Sequence, residues 1–267
     1  QALEIEQERR RIKQAKAVAV LAKCSYNRSV AFAVSVGKVR MCIENRGYYK
    51  MYKTVVFDLD GTLLNTLTDL ADAGNRLCRK YGWPTPERPA DRHFVGNGIP
   101  KLVERLTPAD QRTPAVLEVA LADFKRDYGQ HLRDTTAPYP GIPEMLAKLK
   151  ANGVQLAVFS NKADALAKEV VKDYFGTQYF TIVRGQMTGV APKPAAEGTN
   201  ALLQALHADP ASTLYVGDSN VDVETAHNAN LPCCGAVWGF RTREELNAAG
   251  AEYLAENSDE LYDVIMK

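Results

Sequence analysis

Apolar residues follow two rhythms along this chain. Short, mostly apolar runs at 54–57, 154–159, 180–183, 213–216 and 231–238 are rich in β-branched and aromatic residues. Such runs suit strands buried on both faces. Between them, apolar positions recur at helical spacing. Leu70, Gly74, Leu77, Cys78 and Tyr81 share one face of a helix that opens after Thr66, and Gly82-Trp83-Pro84 ends it. Pro100 suits the first turn of a helix through Leu106. A longer helix is expected over 114–132, with Leu117, Leu121, Phe124 and Tyr128 towards a core. Further helices are predicted over 142–151, stopped by Asn152-Gly153, and over 163–173, 196–206 and 221–228. The tail adds a helix, a short strand near Tyr253 and a last helix from Ser258.

Strands alternating with helices of ~10–15 residues predict an α/β fold with a doubly wound, Rossmann-like parallel sheet. The helices within 66–138 break that alternation. They read as a small all-helical domain inserted after the first strand, leaving 51–65 and 139–267 as the core. No internal repeat or low-complexity tract is present.

Residues 1–50 read differently. They carry eleven Lys/Arg against four Glu, whereas the rest of the chain holds 22 basic and 28 acidic residues. The body is therefore mildly acidic, which argues against a nucleic-acid partner. The segment is basic and Ala/Val-rich like a transit peptide, but Glu4, Glu6 and Glu8 do not suit one. It is expected to be an extension outside the native domain, translated in frame upstream of a start at Met51. Arg46-Gly47 is encodable as a purine-rich ribosome-binding sequence before that codon. A genuine N-terminal helix or a peripheral anchor is the alternative. The five cysteines, Cys24, Cys42, Cys78, Cys233 and Cys234, lack zinc or C-x-x-C spacing, so buried reduced thiols are expected. No apolar run approaches the ~20 residues that span a bilayer. A cytoplasmic protein without a membrane partner, a monomer or homodimer, is the expectation.

The candidate chemistry gathers where the apolar runs stop. The first run ends in Asp58 and Asp60, with Gly61-Thr62 breaking the strand pattern. Paired carboxylates at the carboxyl end of a buried parallel strand sit where open α/β sheets bind ligands, and burying them calls for a cation. A later run ends in Ser160-Asn161-Lys162 and another in Gly217-Asp218. Lys193 stands between Pro192 and Pro194, which fix its direction. Taken alone, Ser160 reads as a helix N-cap, Lys193 as a solvated lysine and Asp222 as a first-turn helix acid. His93, His131, His207 and His227 show no ligand spacing.

Together, DLDGT at 58–62, FSNK at 159–162, PKP at 192–194 and GDSNVD at 217–222 resemble, in order, the four motifs of the haloacid dehalogenase superfamily of phosphatases. The resemblance covers nearly all of residues 52–267. It implies that Asp58 is a nucleophile forming an aspartyl-phosphate and that Asp60 is a general acid and base. The implied metal is Mg²⁺, held by Asp58, the Asp60 carbonyl and Asp218, since hard oxygen ligands with phosphate suit it better than zinc. Ser160 would donate to a phosphoryl oxygen, helped by N–H groups of the following helix start. Lys193 would neutralise the phosphate and the aspartates. Asp222 would orient Lys193 or a metal-bound water. Asp60 argues against dehalogenation, because dehalogenases of this superfamily lack a second aspartate there.

The helical insert corresponds to the superfamily's cap, which closes over the site and selects the substrate. Its Gly96-Asn97-Gly98 loop, and the segment from Gly217 to Gly239 with its Pro232-Cys233 and Trp238-Gly239-Phe240-Arg241, resemble the phosphoglycolate phosphatase branch. Ala195-Ala196 departs from relatives that often carry acidic residues there. The expected substrate is a small phosphorylated metabolite, 2-phosphoglycolate first. A pyrophosphatase or nucleotidase, a sugar phosphomutase and a catalytically vestigial scaffold are the alternatives. Thr62, Asn97, Gly98 and Asn161 are the expected substrate contacts. Backbone N–H groups of the glycine loop, the positive end of the Pro100 helix, Lys101 and Arg105 would receive the carboxylate.

Overall fold

The computed structural model describes residues 51–85 and 98–267. The expectations for residues 1–50 and for Gly96 and Asn97 lie outside the described residues. Strand β1 (Thr54–Phe57) leads into β2 (Leu64–Asn65), and helices α1 (Leu67–Tyr81), α2 (Ile99–Leu106) and α3 (Pro114–Gln130) follow before β3 (Ala137–Pro138). The order then runs α4 (Ile142–Ala151), β4 (Gln155–Ala163), α5 (Asp164–Phe175), β5 (Phe180–Gln186), α6 (Ala196–Leu206) and β6 (Thr213–Gly217). It closes with α7 (Asn220–Asn228), β7 (Cys233–Ala236), α8 (Arg243–Ala249), β8 (Tyr253–Ala255) and α9 (Ser258–Met266).

Six strands form one parallel sheet in the order β5-β4-β1-β6-β7-β8. The chain winds outwards from β1 through β4 to β5, then returns to β6 on the other side. Strand β1 thus flanks the topological switch point, where such sheets open a crevice at their carboxyl ends. Strand alternation sends Val55 and Phe57 to one face and Val56 to the other, all fully buried. Helices α4, α5 and α9 cover the first face with Leu146, Val170 and Leu261. Helices α6, α7 and α8 cover the second with Leu202, Val223 and Leu246. The doubly wound core expected from the sequence is present.

Helices α1, α2 and α3 pack on one another. Gly74 lets Leu106 approach so closely that a Cβ there would lie 3.0 Å from its Cδ1. On α3, Ala120, Phe124 and Tyr128 are buried while Leu117 and Leu121 are only half-buried. The helix stops at Gln130, and Leu132 is buried from the following turn.

A short ribbon that the periodicity does not announce joins the two chain crossings between sheet and helices. Leu64 pairs with Pro138 and Asn65 with Ala137. The buried Asp69 reinforces it, accepting from the Thr135 and Thr136 N–H groups at 2.8 and 3.0 Å and from both hydroxyls at 2.5 and 2.7 Å.

Strand β4 corrects the expected end at Phe159. It runs on to Ala163, and α5 begins at Asp164. Phe159 pairs with Arg184 and Ala163 with Gln186, so Ser160, Asn161 and Lys162 bulge opposite Gly185 alone. Gly185 is required by that approach, since a Cβ would lie 2.4 Å from the Lys162 carbonyl oxygen. Bulges of this kind re-aim side chains beside functional sites. The N-terminus of α5 accordingly lies farther from Ser160 than the sequence pattern implies.

Candidate active site

The carboxyl ends of β1, β4 and β6 converge. Asp58, Asp60, Ser160, Asn161, Lys162 and Lys193 line one pocket, together with Gly98, Ile99, Leu102 and Tyr128 from the helical insert. Its floor is acidic. Asp58, Asp218 and Asp222 are buried and place ligand oxygens within 4.8 Å of one another. Lys193 Nζ sits 2.9 Å from Asp58 Oδ1 and 2.7 Å from Asp222 Oδ1.

Each of these side chains is held from behind. Asp222 closes a capping box with Ser219, accepting from its N–H at 3.1 Å and its hydroxyl at 2.7 Å, so both Asp222 oxygens are engaged. Asp218 accepts from Thr62 Oγ1 at 2.9 Å and from the Phe240 N–H at 2.8 Å. Gly61 makes that placement possible: its φ is +88°, and a Cβ there would lie 2.3 Å from Asp218 Oδ2. Asn161 locks the lysine loop, accepting from the Lys193 N–H at 2.8 Å and donating to its carbonyl at 3.3 Å. The Lys162 N–H donates to Ser160 Oγ at 3.2 Å.

Thr62 and Asn161, expected to touch substrate, thus hold Asp218 and Lys193 in place. Thr62 is absent from the pocket wall and Asn161 forms part of it. Gly98, at φ +83°, lies over the bulge, where an added Cβ would be 3.8 Å from the Asn161 Cβ. Lys101 faces solvent with Glu104, 2.7 Å away, and does not line the pocket.

Burial, eased by Lys193 and reinforced by Asp222 and Asp60, pushes the Asp58 carboxyl up to about 7. Burial and then repulsion from Asp222 and Asp58 push Asp218 well above the carboxylate range. Burial works against the charge of Lys193, but Asp222 and Asp58 outweigh it and hold the ammonium protonated. Three carboxyl groups share one ammonium in a buried space, and the excess is met by protons held on the raised Asp58 and Asp218 until a cation replaces them. Asp58 Oδ1 has charge compensation from Lys193 and no well-aligned hydrogen bond. An unbonded carboxylate oxygen beside Asp218 in an all-oxygen set fits a hard divalent cation.

Two residues to which the sequence reading gave no chemical role, Lys162 and Tyr128, complete the pocket. Lys162 is 4% exposed; its Nζ lies 3.0 and 3.2 Å from the Asp60 oxygens and 2.8 Å from the Tyr128 hydroxyl. Tyr128 reaches the site from α3, and burial pushes its phenol up to about 12. The available signal was positional: Lys162 lies two residues beyond Ser160, and in an extended segment such residues share a face.

An α/β sheet that carries buried carboxylates and a lysine at its switch point defines an enzyme site built to hold a cation beside an anionic group. The haloacid dehalogenase-like hydrolase family matches residues 55–236, and this chain belongs to it. The phosphoglycolate phosphatase of Thiobacillus denitrificans is 31% identical over 191 residues, covering 70% of this chain and 84% of the relative. That of Neisseria meningitidis is 33% identical over 192 residues, covering 70% and 81%. A solved structure from Lactobacillus delbrueckii subsp. bulgaricus superposes with a TM-score of 0.76 at 28% identity, covering 81% of this chain and 99% of that one.

Proposed function

We propose that this chain is a Mg²⁺-dependent phosphatase of small phosphate monoesters, with 2-phosphoglycolate as its substrate. The observation that carries the reading is the meeting of Asp58, Lys193 and Asp218 at the switch point, roofed by the helical insert. Curated relatives that share 31% and 33% identity are named phosphoglycolate phosphatases, and they supply the substrate. In this reading residues 51–65 and 139–267 are the catalytic core, 66–138 the cap and 1–50 an extension. Three reduced, buried thiols, Cys78, Cys233 and Cys234, favour a reducing cytoplasm. Among the described residues no helix is long and apolar enough to cross a membrane.

Asp58 attacks phosphorus, the ester bond breaks, and a phosphoryl group is left on the Asp58 carboxylate. Asp60 gives its proton to the departing alkoxide and later takes one from the water that cleaves the acyl-phosphate. Ser160 donates a hydrogen bond to a phosphoryl oxygen, and Lys193 balances charge on phosphate and carboxylates together. Asp58, the Asp60 carbonyl and Asp218 would hold Mg²⁺, which when bound neutralises charge between nucleophile and phosphate. Asp222 keeps Lys193 aimed. Comparing kcat/KM for phosphoglycolate, pyrophosphate, nucleotides and sugar phosphates tests the substrate. Phosphoglycolate should rank clearly first; a nucleotide or pyrophosphate ranking above it overturns the substrate and leaves the phosphatase.

A further inference from the structure

We propose that Lys162 and Tyr128 together form a subsite for a carboxylate on the carbon next to the ester oxygen of the leaving group; this rests on the phosphatase reading above. The sequence pattern directs that carboxylate to the glycine loop and to cations on α2. Among the described residues of that stretch, however, Lys101 pairs with Glu104 at the surface. The pocket instead holds a second buried ammonium from the core, Lys162, besides Lys193. Lys193 is committed to Asp58 and Asp222, so its position belongs to the phosphate and the acidic floor.

Lys162 has a donor to spare. An ammonium offers three N–H groups. Nζ meets three acceptor atoms, the two Asp60 oxygens at 3.0 and 3.2 Å and the Tyr128 hydroxyl at 2.8 Å; the two Asp60 contacts converge on one carboxylate, so a single N–H serves it once the third turns to a bound anion. The Tyr128 hydroxyl accepts from Lys162, so its own O–H remains able to donate. Two donors 2.8 Å apart on the pocket wall match the two oxygens of one carboxylate.

Distance decides which acids fit. Asp60, the group that protonates the ester oxygen, is 3.0 Å from Lys162 Nζ. An anion reaching Lys162 while its ester oxygen meets Asp60, by near-parallel hydrogen bonds of about 2.8 Å, carries these oxygens roughly 3 Å apart. A phosphorylated 2-hydroxy acid satisfies that. Leu70, Ile99 and Leu102 form the rest of this side, so a longer polar leaving group gains no partners there. With Asp60 protonated for its role as acid, Lys162 brings one positive charge to the subsite, which a monoanion matches better than a second phosphate dianion.

The test compares phosphoglycolate with the phosphate ester of glycolamide, its neutral isostere, with p-nitrophenyl phosphate as a third substrate. The wild-type enzyme should prefer the acid by ~100-fold or more in kcat/KM, and Lys162→Met should remove most of that preference by lowering turnover of the acid much more than that of the amide. Tyr128→Phe keeps the ring and removes the O–H; it should cut the preference about tenfold. That variant decides between the outcomes if Lys162→Met fails to fold. Equal losses on acid and amide in the folded variants would mean that Lys162 acts only through Asp60, and would overturn the proposal, as would an unchanged preference in Tyr128→Phe. A wild-type enzyme that hydrolyses p-nitrophenyl phosphate without preferring the acid overturns this inference alone. No hydrolysis of any of the three overturns the phosphatase reading itself.

Discussion

The floor and the roof of the pocket are built on opposite plans. The floor is polar and interlocked. Asp58, Asp218, Asp222 and Lys193 are all buried, and each has at least one partner from the sheet's own loops. The roof, made by Ile99, Leu102, Leu70 and Tyr128, is apolar apart from one hydroxyl. Preorganised charge is what a phosphoryl transition state needs, and it demands rigid support. Selection among small esters needs shape and one or two polar contacts, which a mostly apolar surface supplies. In the proposed reading the floor carries the chemistry and the roof the choice of substrate, with Lys162 touching both Asp60 and Tyr128.

The sharpest break would come at Asp58. Asp58→Asn should cost at least ~10⁴-fold in kcat on every ester while the thermal midpoint holds, because the nucleophile is lost and the shape kept. Substantial turnover in that variant would end the covalent mechanism. Asp60→Asn should lose least on p-nitrophenyl phosphate, whose leaving group needs no proton.

Gly61→Ala tests whether the floor tolerates slack. The new Cβ would meet Asp218 at 2.3 Å, in a backbone region that disfavours side chains. Mg²⁺ affinity by calorimetry should fall on the order of 100-fold, comparable to losing a group that orients a ligand. Unchanged affinity would remove Asp218 from the metal site.

Without divalent cation, the floor should make stability depend on pH. Asp58 titrates at about 7 when folded against an ordinary value of 3.8. Between those values the folded state holds a proton that the unfolded chain has released. Stability therefore falls as pH rises across that window, and the raised Asp218 adds to the fall. The thermal midpoint in chelator should drop from pH 5 to pH 8, and Mg²⁺ should recover most of the loss. A midpoint that climbs with pH in chelator would contradict the burial of this carboxylate.

The roof should answer more mildly. Ile99→Ala should alter the ranking of esters by about tenfold in kcat/KM, the scale of a few methylene contacts, and leave Mg²⁺ affinity unchanged. At the edge between the two regions, Arg133 pairs with Glu169 and Asp173, all well exposed. Arg133→Ala should shift unfolding by about 0.5 kcal/mol or less, as exposed pairs do. A shift several times larger would show the helical insert held by that bridge as well as by Asp69.

Much of this protein was legible in one dimension. Buried strands in a parallel sheet announce themselves as uninterrupted apolar runs, and helix α6 falls on its expected span of 196–206. The residues at the ends of β1, β4 and β6 were legible too, because polar side chains directly after buried parallel strands fall where such sheets bind ligands. Local sequence could not show what sits behind them. Thr62 turned towards Asp218, and Asn161 embracing the backbone of Lys193, depend on loops far apart in the chain. The bulge at Ser160–Lys162 depends on a glycine in the neighbouring strand, and it places Lys162 against a tyrosine that arrives with α3. Periodicity records which face of an element is dry. Which polar groups meet in the dry space is settled only when separate elements pack, since each buried charge must find its partner there.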